Sequence, residues 1–169
     1  TENYTLTRSS AASDVYKRQP GDRSAGELRD LRAGRCMGAC LEYAARRRQP
    51  LMLYVFSDGS VSSNGMLDNS ADGRGKGVWT GDNSSTAASF FLVFSPNGRL
   101  TALRQQIGSF SSDASVDTTS SPAANNVNLL VETVLLNYAS LNGDDFNSSF
   151  PNHGLGSQLG KLTAFSKLI

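Results

Sequence analysis

One histidine, one tryptophan and two cysteines occur in these 169 residues. A single imidazole rules out any self-contained site that needs two or more histidines. Cys36 and Cys40 have no second Cys or His pair beside them, which argues against a zinc module. Their i, i+4 spacing gives poor geometry for a bridge within a regular helix, so they read as small apolar residues on a buried face, with a redox or metal role as the alternative. Charge of one sign is also scarce: 16 Lys and Arg face 15 Asp and Glu, for a net +1. That balance suggests neither a nucleic-acid surface nor a strongly acidic partner. No apolar run approaches the roughly 18 residues a membrane span requires. A Gly-x-Ser-x-Gly elbow and the spacing of a nucleotide-binding P-loop are both missing.

Ser, Asn and Gly are abundant instead, above all in the middle of the chain. Such composition suits long surface loops. The run Ser9 to Gln19 resembles a translated sequencing-library adapter. Residues 1–19 are therefore expected to be a chimeric leader, and residues 20–169 the C-terminal part of one α/β domain whose N-terminal half lies upstream.

Ser24 to Arg48 reads as a helix, with Met37, Cys40, Leu41 and Ala44 as its inward stripe. Arg46, Arg47 and Arg48 suit the negative end of its dipole, and Pro50 stops it. Leu51 to Phe56 is a continuous apolar run, read as a central strand covered on both faces. Val61 to Ser85 reads as a long loop, and Ala87 to Phe94 as a second buried strand closed by Ser95-Pro96-Asn97-Gly98. Leu100 to Phe110 suggests a further strand, and Ser111 to Ala124 a polar linker. A helix then runs from an Asn125 or Asn126 cap to about Leu141, before Gly143. Its expected inward face is Val127, Leu130, Val131, Val134, Leu135, Tyr138 and Leu141. A short helix is placed at 158–165. Alternation of helix and buried strand implies an α/β sheet with parallel neighbours.

Asp58 ends the first apolar run, Asp82 precedes the second, and Asp68 and Asp72 lie between. Carboxylates around one strand-end crevice would hold a divalent metal or activate a water. Asp and Asn also populate loops simply because they tolerate turn geometry, and spacing leaves both readings open. Gly73-Arg74-Gly75-Lys76-Gly77 offers backbone donors and two cations to a small anion such as phosphate or sulfate, or else is a solvated loop. Trp79 would anchor that loop. His153 sits in the turn-like Pro151-Asn152-His153-Gly154-Leu155-Gly156.

The order of these features resembles a known family. Phe56-Ser57-Asp58-Gly59, then Asn64-Gly65, then Gly81-Asp82-Asn83 leading into Phe91-Leu92-Val93, is similar to the C-terminal half of the exported bacterial proteins called domain of unknown function 1501. That family is related to the alkaline phosphatases and sulfatases. The resemblance covers about residues 34–141. It implies a fragment of an alkaline-phosphatase-like three-layer sandwich with a mostly parallel central sheet, in a periplasmic or secreted protein. It further implies a divalent metal at Asp58 and Asp82, with Asn64 and Asn83 beside the anionic ester. Outside the resemblance, His153 would complete that metal site if the tail folds back across the strand ends, and Arg74 and Lys76 would contact the anion. Two departures stand out: Ser60 replaces the family's Arg, and Asn83 replaces its metal-binding His. The family's nucleophile would lie upstream of Pro20. Two functions follow as expectations: a metal-dependent phosphate or sulfate ester hydrolase with a degenerate or altered site, or a non-enzymatic periplasmic or cell-surface binding and assembly protein.

Overall fold

Helix α1 runs from Arg23 to Arg47, and its last turn ends in Arg46 and Arg47 as the dipole favours. The computed structural model describes residues 23–56, 62–71, 73–80, 89–112, 116–124 and 126–167. Ala44 of α1 is buried, and Met37, Cys40 and Leu41 are half-buried, so the inward stripe is as expected. Cys36 is not part of it: that thiol is exposed, and both cysteines are free.

Strands β1 (Leu51–Val55) and β4 (Phe90–Phe94) are the two apolar runs. Between them β2 (Ser62–Asp68) pairs with β3 (Lys76–Thr80), and β5 (Ser109–Phe110) later pairs with β6 (Val116–Asp117). The expected alkaline-phosphatase-like sandwich is not found. Among the described residues the sheets are two-stranded, every pair is antiparallel, and no mostly parallel central sheet exists. β1 and β4 run against each other from Leu51 opposite Phe94 to Val55 opposite Phe90. Their apolar character has another cause than burial in a parallel sheet. Tyr54 stacks on Phe56 and tilts against its cross-strand partner Phe91, with ring centroids 5.3 Å apart in each case. Phe165 closes edge-on over Phe91, and α1 packs against both strands. One small ribbon thus serves an aromatic cluster and a helix, and every residue of β1 remains half-buried.

The segment expected to be a structureless loop is largely the β2–β3 hairpin. Its turn is built around Asp68, which is buried. Asp68 accepts the Ser70 N–H on Oδ1 at 3.0 Å and the Gly75 N–H on its carbonyl at 2.8 Å. Gly73 lies so close to the Asp68 carboxylate that a Cβ has no room there. Arg74 and Gly75 both adopt the left-handed region, with φ of 52° and 76°. The strand expected over Leu100 to Phe110 is reduced to Ser109–Phe110 and a bridge from Ala102 to Phe165.

Helix α2 (Val127–Asn142) has the expected bounds. The Asn126 side chain accepts the Leu129 N–H at 3.1 Å, and Gly143 caps the other end at φ 75°. Its buried face is only in part the expected one: Leu141 is buried and Leu130 and Val134 are half-buried, but the rest of that face is not. Thr133, Leu136, Asn137, Ala139 and Leu141 are buried, whereas Val127, Val131, Leu135 and Tyr138 are exposed. The buried side meets α3 (Phe146–Ser149) and α4 (Leu159–Leu162), and a 3₁₀ turn (Gly156–Gln158) leads into α4. Leu136, Ala139, Phe146, Leu155 and Leu162 form this core, with Ile107, Leu129 and Leu159 against it.

Candidate functional site

Three residues expected to form the metal and ester site, Asp58, Asp82 and Asn83, lie outside the described residues. Asn64 is in β2, and Lys76 opens β3 opposite Asp68. Arg74 stands exposed in the turn between those strands. The Gly73-to-Gly77 segment is therefore the tip of a hairpin, not a free loop.

His153 lies far along the chain, in the turn after α3. Leu155 N–H donates to its Nδ1 at 3.1 Å, and its Nε2 meets Asn147 Oδ1 at 2.9 Å. An acceptor at Nδ1 requires the tautomer with hydrogen on Nε2, which then donates to the Asn147 amide oxygen. The ring also packs on Phe146, with centroids 5.2 Å apart. Both ring nitrogens are thus engaged in holding the turn. The next residue clips that turn to α2, since Gly154 N–H donates to Glu132 Oε2 at 2.7 Å. Among the described residues no group of three or more His, Cys, Asp or Glu could hold a metal ion, and no helix is long and apolar enough to cross a membrane.

The side chains that organise the C-terminal half were not singled out from the sequence. Asn137 is fully buried. Its Nδ2 donates to the carbonyls of Thr133 at 2.8 Å and Leu162 at 3.0 Å, while its Oδ1 accepts the Ala164 N–H at 2.7 Å. Arg104 reaches the same segment: Nε donates to Thr163 O at 3.0 Å and Nη2 to Gly160 O at 2.8 Å. Leu103 N–H adds a bond to Ala164 O, and Ser140 Oγ one to Phe165 O. The tail is thereby bound to α2 and to the strand-like segment near 102. A sequence signal existed for Asn137: it stands four residues after Thr133, so the two form a polar pair on one face of the helix.

Two exposed carboxylates have lowered pKa values. The Thr119 hydroxyl, then the Thr119 N–H, holds Asp117 below 3.8, with Ser109 adding to the effect. The Ser148 hydroxyl does the same for Asp145, which caps α3 through the Asn147 N–H. Because both folded values are depressed, their contribution is present above the ordinary carboxylate range and is lost as pH falls through the lowered values. Acidification through and below the ordinary carboxylate range should loosen α3 and the β5–β6 pair. Amide hydrogen exchange should show Asn147 and Thr119 opening first. An Asp145→Asn variant should show less acid sensitivity at α3 than the parent, and equal sensitivity would refute the assignment.

What remains is the outward face of α2. Val127, Val131 and Tyr138 are 61, 53 and 57% exposed, and Leu135 is 37% exposed. Val134 and Leu130, between them, are half-buried. Val127, Val131, Val134 and Tyr138 recur at steps of four, three and four, the spacing of a two-helix seam. Glu132 is the one charged residue of α2, and it is occupied by Gly154. Comparison with family models, with curated proteins and with solved structures finds no match for this chain.

Proposed function

We propose that this chain is a non-enzymatic assembly module, of a periplasmic or cell-surface kind, that pairs through the outward face of α2 with the same face of a second copy. The observation that supports this reading is the inversion of α2, whose polar Thr133 and Asn137 are buried while Val127, Val131, Leu135 and Tyr138 face outward. Contiguous exposed apolar side chains rimmed by polar ones mark interaction surfaces. The face carries no free charge, so a charged partner has nothing to pair with, and an apolar face is complementary to itself across a two-fold axis. A helix lying on a membrane surface would be expected to carry Lys or Arg, and α2 has neither. The ester-hydrolase reading draws on Asp58 and Asp82, which lie outside the described residues, and no observation here favours it.

Site-specific cross-linking tests the pairing. In a chain with Cys36→Ser and Cys40→Ser, Val131→Cys should give a covalent dimer on mild oxidation, because seam residues approach their own symmetry mates. Ser157→Cys, exposed and in the 3₁₀ turn rather than on α2, serves as the control. Equal yields at the two positions would sink the proposal.

A further inference from the structure

Helix α1 carries three sulfur-bearing residues within five successive positions: Cys36, Met37 and Cys40. An α-helix turns about 100° per residue, so Cys40 lies about 40° and Met37 about 100° around the axis from Cys36. Cys36 is exposed, Met37 and Cys40 are half-buried, and both thiols are free. The Cβ atoms of an i, i+4 pair stand roughly 5–6 Å apart on a helix, wider than the roughly 3.5–4.5 Å a disulfide needs. One metal ion bridges that gap easily, since two metal–thiolate bonds of roughly 2.3 Å hold their sulfurs about 4 Å apart.

We propose that Cys36, Met37 and Cys40 bind one Cu(I) ion through two thiolates and a thioether. Thiolate and thioether donors together select soft Cu(I), whereas divalent zinc favours four ligands that include imidazole or further thiolates. No His, Asp or Glu joins the two cysteines in a three-membered group among the described residues. Binding releases one proton from each thiol to solvent, and copper enters and stays as Cu(I), so no oxidant or reductant is consumed. The bound site carries one net negative charge. Arg32, exposed one turn earlier on the stripe that continues through Cys36 and Cys40, offsets it. The site is independent of the α2 face.

The test is an anaerobic competition for Cu(I) between the reduced full-length chain and bicinchoninate, with helicity followed by circular dichroism. The chain should withdraw one Cu(I) per molecule. Cys36→Ser and Cys40→Ser should each weaken binding beyond the roughly 10–100-fold that loss of a supporting group costs, and Met37→Leu by roughly tenfold. Cys36 is exposed, so its replacement leaves the helix intact and keeps the test decisive. Equal copper uptake by the parent and the Cys36→Ser/Cys40→Ser variant overturns the site. Unchanged affinity in Met37→Leu overturns the three-sulfur arrangement.

Discussion

Asn137→Leu is expected to lower stability by about 2–5 kcal/mol, read as a lower urea midpoint with an unchanged slope. Leu keeps the branched skeleton of Asn and is no smaller, so the loss does not come from a cavity. It comes from the groups left behind. The Leu162 carbonyl loses its donor and the Ala164 N–H loses its acceptor, in a region where Asn137 itself is fully buried. Each stranded buried group costs about 1–3 kcal/mol. The Thr133 carbonyl is less affected, because it also serves the helix ladder. The damage should spread to Arg104, whose two bonds to Thr163 and Gly160 depend on the position of the same segment. A change below about 0.5 kcal/mol, the scale of an ordinary surface substitution, would show that Asn137 does not fasten the tail to α2.

Val131→Glu should have the opposite profile. Val131 is exposed in the single chain, so its stability should change by no more than about 0.5 kcal/mol. In the pair, a two-fold axis along the seam would bring the two introduced carboxylates together and strip them of water. Like charges so placed cost several kcal/mol, so the dimer dissociation constant should rise by at least about a hundredfold. Val131→Leu keeps the face apolar and should pair nearly as the parent does. Loss of pairing together with loss of folding would instead place Val131 in the core.

The parts of the fold legible in the sequence were those specified by local chemistry. Asn126 and Gly143 fix the ends of α2 through one side-chain bond and one left-handed residue, and neither depends on distant packing. The two apolar runs were legible as strands. Their direction was not, because a continuous apolar run looks the same in a parallel sheet and in an antiparallel ribbon shared by a helix and an aromatic cluster. β2 was hidden by its Ser, Asn and Gly content and β3 by its shortness and Gly77, and the buried turn at Asp68 depends on Gly73 lying against it. The inward face of α2 was misread in part, for a related reason. With Leu129 and Leu136 on one side and Val131 and Leu135 on the other, apolar residues surround the helix. Three hydrogen bonds to Asn137 then decide which side turns in. Of the expected site, Arg74 and Lys76 share a hairpin tip and His153 is committed to its own turn.

Sedimentation equilibrium of the reduced chain over a wide concentration range tests the assembly claim most directly. A monomer–dimer equilibrium is predicted, with mean mass rising toward twice the chain mass and Val131→Glu remaining at the monomer mass. A parent chain that stays monomeric at every concentration, or a dimer that Val131→Glu leaves intact, would contradict it.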